Sequence, residues 1–318
     1  MSFFSNKKIL VAGGTGLIGR PLVDMLRKQG ADVAVGAIDA PVSLDFRQFS
    51  DCLFACEGMD IVFNLVGVKG SPSATLKYPA RFFTPTLQTS INLMEAARRC
   101  KVKQYLYTST VGVYPPAEVF KEDDVWKGFP SPNDRFAGWA KRMGELQAEA
   151  YAIEFGFKAS IVRPANVYGP WDNFDSDTAM VLPSLIARVV ENEGPLTVWG
   201  NGSAVRDFIH ADDVAKGMMM AIEQGITKPL NLGSGQAVTI RQVAEIVARN
   251  APDGPREVIW DESKPGGDAK RLMDMTRASK YGFAATKSLE EGIKETIAWY
   301  SANRNVKRYI AFKDEAFQ

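Results

Sequence analysis

The stretch Val11-Ala12-Gly13-Gly14-Thr15-Gly16-Leu17-Ile18-Gly19 has the spacing that points most directly at chemistry. Gly13 permits a tight turn, Gly16 lets backbone N–H groups approach a pyrophosphate, and Gly19 lets a helix pack closely on the strand before it. No Gly-Lys-Ser/Thr follows, so the loop, with Thr15, Leu17 and Ile18 completing it, suits a dinucleotide and not a mononucleotide P-loop. Asp39 lies 20 residues beyond Gly19, placed to accept from both hydroxyls of an adenosine ribose and to repel a 2′-phosphate. That favours NAD, with NADP the alternative. Asp45 and Phe46 are the next candidates, placed to contact the adenine.

A second set of residues suits a diphosphate-linked base. Arginine offers a planar fork to phosphate and an indole offers a stacking face, so Arg206 near Trp199 is a sensible pair for such a ligand. The lone histidine, His210, stands beside Asp212 and Asp213 and reads as structural. Cys52, Cys56 and Cys100 have no metal-ligand spacing and read as packed or surface thiols, so no metal site is expected.

These residues need elements to hold them. Short apolar runs predict strands at Lys8–Ala12, Val33–Ala37, Ile61–Leu65, Gln104–Thr108 and Ala159–Val162. Amphipathic segments predict helices near Leu17–Gln29, Phe46–Cys56, Thr84–Cys100 and Trp139–Phe155. The alternation predicts an α/β fold, a doubly wound parallel sheet of Rossmann type, with a dinucleotide-binding domain over 1–163. From 164 to 318 the texture turns to shorter elements punctuated by Pro and Gly, which predicts a smaller C-terminal substrate-binding lobe. Elements near 204–250 return to the first domain. Leu230–Leu232 is read as a strand, and Thr239 as the N-cap of a helix over Ile240–Asn250.

Composition narrows the functional classes. Thirty-eight Lys plus Arg against 37 Asp plus Glu give a formal charge of +1, which excludes the electrostatic footprint of a nucleic-acid binder. No apolar stretch approaches the roughly 20 residues a bilayer requires, and the first eight residues lack a signal-peptide core, so a cytoplasmic location is expected.

The glycine loop, Tyr107-Thr108-Ser109-Thr110-Val111-Gly112-Val113-Tyr114-Pro115, Arg163-Pro164-Ala165-Asn166-Val167-Tyr168-Gly169-Pro170 and Arg206-Asp207-Phe208-Ile209-His210-Ala211-Asp212-Asp213-Val214 together resemble the extended short-chain dehydrogenase/reductase family, the NAD-dependent epimerases and dehydratases of nucleotide sugars. Tyr168 to Phe174, Val181 to Leu185, Val198-Trp199-Gly200, Lys264 to Gly267 and Lys270 to Asp274 look most like its GDP-L-fucose synthase branch. The resemblance implies that Leu65, Val66, Lys141 and Pro164 join the glycine loop in holding the cofactor. It implies that Asn166, Val181, Arg188, Trp199, Arg206 and Arg271 line the nucleotide and diphosphate of a sugar donor, GDP being favoured. It further implies a homodimer that pairs the helices Thr84–Cys100 and Trp139–Phe155 with their symmetry mates.

By the same resemblance the reaction passes through a 4-keto sugar, as epimerisation, dehydration or 4-keto reduction. The proton is moved by the tyrosine of Tyr-x-x-x-Lys, aided by a serine or threonine. Here the hydroxyl residue is Thr110 and the lysine is Lys141, but the tyrosine position is Ala137, which cannot transfer a proton. The cysteine and histidine of the epimerising branch are likewise Gly112 and Met180. Three readings of Ala137 remain: an engineered substitution, an enzyme using another acid/base such as Glu118, Glu122, Asp123 or Asp124, or a non-catalytic protein that binds NAD and a nucleotide sugar. An oxidoreductase on a small free alcohol is disfavoured by Trp199, Arg206 and Arg271.

Overall fold

The computed structural model of the chain describes residues 2–263 and 269–306; Lys264 to Gly267, part of the resemblance above, lie outside them. The strands are β1 Lys8–Ala12, β2 Asp32–Gly36, β3 Ile61–Asn64, β4 Gln104–Thr108, β5 Val119–Phe120, β6 Ala159–Pro164, β7 Asn166–Tyr168, β8 Leu196–Trp199, β9 Val205–Arg206, β10 Phe208–His210, β11 Leu230–Leu232, β12 Val238–Thr239, β13 Val258–Asp261 and β14 Lys270–Met273. The helices are α1 Gly19–Lys28, α2 Phe49–Cys56, α3 Pro72–Lys77, α4 Pro79–Arg99, α5 Arg135–Phe155, α6 Val181–Glu191, α7 Ala211–Glu223, α8 Ile240–Arg249, α9 Thr276–Lys280 and α10 Leu289–Ala302.

Six strands form one parallel sheet in the order β2-β1-β3-β4-β6-β11, the Rossmann-type arrangement expected. Strands buried on both faces read as continuous apolar runs, as Ile9 to Ala12 and Ile61 to Phe63 do. One face is covered by Leu22, Val23 and Leu26 of α1 and by Val214, Met218 and Ile222 of α7. The other is covered by Cys52 and Cys56 of α2, Leu93 and Met94 of α4 and Ala148 of α5. Strand order reverses between β1 and β3, and such a reversal opens a crevice at the carboxyl ends of the strands. A third core of Leu182, Leu185, Ile186, Val243, Val247 and Ile293 joins α6, α8 and α10.

Two helices begin earlier than predicted. Helix α4 starts at Pro79 and runs through Pro85, where Phe82, Pro85 and Thr86 are buried; their packing outweighs the lost hydrogen bond of an internal proline. Helix α5 starts at Arg135, because Gly138 is not a break: a Cβ there would lie 2.4 Å from Gly112 O and 2.8 Å from Pro130 Cβ. The glycine is needed for close packing. Thr239 does cap α8, in a reciprocal capping box with Gln242. No helix of the described residues is long and apolar enough to cross a membrane.

A buried ion pair joins the sheet to α5. Arg163, at the end of β6, donates to Glu145 at 3.0 and 2.6 Å, to Tyr114 Oη at 2.9 Å and to the Glu122 carbonyl at 2.8 Å. Tyr114 donates to Asn231 of β11 at 2.6 Å, so two strands and a helix share one network. Removing one member of a buried pair leaves the other charge uncompensated, at a cost of about 3–5 kcal/mol. Glu145→Ala is therefore expected to lower unfolding stability by about that amount in urea titrations, and Arg163→Met/Glu145→Leu to lower it by less. A double variant no more stable than the single one would contradict this account.

Candidate functional site

The crevice at the strand reversal holds the glycine loop. Gly13 has a φ of +83°, which favours glycine. A Cβ on Gly19 would fall 2.2 Å from Gly13 O and 2.6 Å from Gly14 Cα, so only glycine lets α1 start here. No side chain caps this helix and its first turn carries no acidic residue, leaving N–H donors and the positive dipole end for an anion. Arg20 fixes the loop by donating to the Thr15 carbonyl at 2.9 Å, and its guanidinium lies 3.5 Å from the ring centre of Trp171. Trp171 itself has a φ of 68°.

A groove runs from this loop between Asp39, Asp45 and Phe46 on one side and Leu65 and Val66 on the other. Thr15 Oγ1 donates to Asp39 Oδ1 at 2.7 Å and so holds the carboxylate beyond the end of β2. Arg47, a cation lining the same groove, is closed on Asp45, with Nε 2.9 Å from both oxygens. Phe46 is buried, and Gly36 leaves room for its ring: a Cβ there would meet it at 2.6 Å.

The groove opens into a second cleft lined by Leu17, Ile18, Thr108, Ser109, Thr110, Ala137, Lys141, Pro164, Asn166, Met180, Val181 and Arg271. Every residue predicted to hold a cofactor, and all three of the catalytic positions, therefore border these two connected hollows. Thr108 Oγ1 and Ser109 Oγ are buried beside the cleft without a hydrogen-bond partner, polar atoms that a bound ligand would satisfy. Thr110 accepts from Gly112 N at 3.2 Å. Lys141 is buried, its Nζ donating to the Val66 carbonyl at 3.0 Å and standing 5.0 Å from the Tyr107 ring centre. Burial pushes its pKa down to about 8, with Glu145 pulling the other way. A lysine enclosed where the groove meets the cleft, uncapped N–H donors at the start of α1 and two orphaned hydroxyls fit a dinucleotide whose reactive end enters the cleft.

Of the residues predicted to meet the sugar nucleotide, Asn166, Val181 and Arg271 border the cleft. Arg188, Trp199 and Arg206 lie outside its lining. Arg188 donates to the Thr197 carbonyl at 2.8 Å, and Trp199 is 60% exposed at the end of β8. Arg206 on β9 pairs in register with Arg271 on β14, which sets the two guanidinium stems side by side. His210 caps α7 by accepting from Asp212 N at 3.3 Å. It gathers near Asp212 and Glu295, but the Lys287 ammonium pairs with both carboxylates. Cys52 and Cys56 are packed thiols under α2, and burial pushes Cys52 up to about 12.

The loop carboxylates offered as replacement bases do not border the cleft. Glu118 pairs with Lys270, Asp123 with Arg277 and Asp124 with Lys127, while Glu122 accepts from Asn231 N inside the buried network. A residue not singled out from the sequence does border it: Asp134, directly before α5, whose Oδ2 accepts from Arg271 Nη2 at 2.7 Å. The signal was present, since Asp before a helix is an N-cap pattern, but it was hidden by placing the helix start at Trp139.

Known proteins share this architecture. A probable GDP-L-fucose synthase of Oryza sativa subsp. japonica is 33% identical over 313 residues, covering 95% of each chain. A solved GDP-6-OMe-4-keto-L-xylo-heptose reductase from C. jejuni superposes with a TM-score of 0.85 at 23% identity, over 94% of this chain and 98% of that one. A GDP-L-fucose synthetase from Naegleria fowleri, solved with NADP bound, gives 0.83 at 22% identity over 97% and 98%. With the family description matching residues 9–233, across the glycine loop, Thr110, Lys141 and the sheet through β11, the chain belongs to the NAD dependent epimerase/dehydratase family.

Proposed function

We propose that this chain exchanges a hydride between a nicotinamide dinucleotide and carbon 4 of a nucleotide-linked sugar, GDP-linked by preference, interconverting its hydroxyl and 4-keto forms. The observation that carries this reading is one continuous hollow in which the glycine loop and Lys141 meet Asn166, Val181 and Arg271. The names of the rice relative and of the C. jejuni reductase support a GDP-sugar and a 4-keto carbon.

In this reading Gly13, Gly16 and the start of α1 hold the pyrophosphate, Asp39 the adenosine ribose, and Lys141 the nicotinamide ribose, with Leu65, Val66 and Pro164 bounding the ring. When bound, the nicotinamide supplies the hydride chemistry; orienting the sugar falls to the chain. Thr110 donates to the sugar oxygen. Arg206 and Arg271 meet the diphosphate, and Asn166, Val181, Arg188 and Trp199 surround the nucleotide. Gly112 and Met180 carry no group that exchanges protons at neighbouring carbons, which favours redox at carbon 4 over epimerisation. Asp39, with Arg47 already closed on Asp45, favours NAD. The segment 164–318 serves chiefly as the nucleotide-sugar lobe. The working form proposed is a cytoplasmic homodimer, supported by the exposed Ile91 of α4 and Leu146, Ile153 and Phe155 of α5, apolar residues that a four-helix contact would cover. Ala137 favours a second reading, a protein that binds both ligands without reacting them.

Single-turnover absorbance at 340 nm with NAD(H) or NADP(H) and GDP-, UDP- and dTDP-linked 4-hydroxy and 4-keto sugars tests the first reading. Hydride transfer confined to nucleotide-linked sugars is expected; tight binding of both ligands with no absorbance change would leave the second. Asp39→Ala is expected to reduce the preference for NAD over NADP by about tenfold, equivalent to 1.4 kcal/mol; an unchanged ratio would remove Asp39 from the ribose. Lys141→Met is expected to weaken dinucleotide affinity at least tenfold while raising ligand-free stability by about 1–3 kcal/mol at pH 7, because an ammonium no longer has to be buried. The unfolded chain keeps this lysine's proton to about pH 10.5 and the folded chain releases it near 8. Wild-type stability should therefore gain on the Lys141→Met form as pH rises between those values. Unfolding curves showing a constant gap across that window would contradict the assignment.

A further inference from the structure

The redox chemistry proposed above moves a proton as well as a hydride, and Ala137 has nothing to move it with. We propose that the Asp134 carboxyl is the proton-transferring group, an inference that rests on the nucleotide-sugar reading.

Position comes first. Asp134, Ala137 and Lys141 all border the cleft from the same end of α5. On a helix the Cα–Cβ bond leans toward the N-terminus, so a long side chain at 137 would lay its tip over the preceding turn, where Asp134 stands. The carboxyl thus stands on the side of the cleft toward which a hydroxyl carried from 137 would be directed.

Space is the second observation. A Cβ built on Gly112 would lie 3.1 Å from Asp134 Cβ and Cγ and 3.3 Å from Oδ1. The carboxyl rests on the bare backbone of the turn that carries Thr110, and any side chain at 112 would press it out of place. Oδ2 is anchored by Arg271 at 2.7 Å, while the side chain keeps 29% of its surface open.

Third, Asp134 forgoes its ordinary role. An aspartate at a helix N-cap accepts from the first-turn N–H groups, a contribution of about 0.5–2 kcal/mol, yet here it makes no capping bond. The carboxylate is turned instead to Arg271 at the cleft wall, and a capping rule broken in favour of a cleft contact is what a functional position shows. Among the described carboxylates, no other borders the cleft beside Thr110 and Lys141; Asp39 and Asp45 lie at the adenosine end of the groove.

The step balances. In oxidation the sugar O–H bond breaks and its proton goes to an Asp134 oxygen, while the C–H electron pair leaves as hydride to the oxidised nicotinamide and the C=O bond forms. In reduction the carboxylic acid returns the proton to the oxygen as the carbon takes the hydride.

Asp134→Asn tests this, because the amide oxygen still accepts from Arg271. At saturating cofactor and nucleotide sugar, hydride transfer is expected to fall about 10²–10⁴-fold. Calorimetric affinity for GDP should stay within threefold. Adding Ala137→Tyr to that variant is expected to restore at least tenfold of the loss, as a phenol with Lys141 four residues on takes over the vacated position. A saturated rate within threefold of the parent overturns the proposal and leaves the nucleotide-sugar reading standing. So does a loss confined to GDP affinity, which would make Asp134 only a clamp on Arg271. A parent chain that transfers no hydride to any sugar of the panel overturns both.

Discussion

The pair Arg163–Glu145 governs how the cleft is built. Its two charges are almost wholly buried and satisfied only by one another, Tyr114 and backbone, so neither can shift without exposing an uncompensated ion to an apolar interior. That fixes α5 against β6 in both height and rotation. Lys141, one turn before Glu145, is thereby aimed at the Val66 carbonyl, and Ala137 and Asp134, one and two turns before that, are aimed into the cleft. The Glu122 carbonyl and Asn231 close the back of the same network, so the wall that faces the ligand and the support behind it are set by one interaction.

Charged groups stand at both ends of the hollow, most of them in pairs. Asp39 is held by Thr15 and Asp45 by Arg47 at one end, while Arg271, paired with Asp134, borders the cleft with Arg206 in register beside it. Acceptors suit a ribose diol and arginine forks suit a diphosphate. Net charge near zero says nothing of this placement, which is not a matter of sum.

What the sequence made legible depended on how local each cause was. The glycine loop could be read because the turn, the approach and the helix contact are each decided within a few residues, and the parallel sheet because β-branched runs alternate with amphipathic ones. Asp39 could be placed by its distance from Gly19. The start of α5 could not, since Gly138 looks like a breaker until Gly112 and Pro130, distant in sequence, are seen pressed against it. Missing that start concealed Asp134 and sent the search for a carboxyl to Glu118 through Asp124; Asp124 pairs locally with Lys127, and the partners of Glu118, Asp123 and Glu122, which are Lys270, Arg277 and Asn231, lie more than 100 residues further on. Pro85 misled in the same way. Local signals report what a segment prefers; packing across the chain decides which preference is overruled.

The sixth strand of the main sheet has a consequence for how the molecule is made. β11 pairs with β6, yet about 65 residues separate Pro164 from Leu230. A nascent chain that has just emitted β6 holds a strand whose every residue ends up buried, with one edge unpaired and Tyr114 without its Asn231 acceptor. Exposed strand edges recruit other chains, and long-range parallel pairing is slow. Synthesis must therefore pass residue 232 before the sheet has its final edge, and a fragment ending at 163 would present an open strand edge to its neighbours. The interval in which that edge stays open falls during translation, between the emergence of residue 164 and that of residue 232.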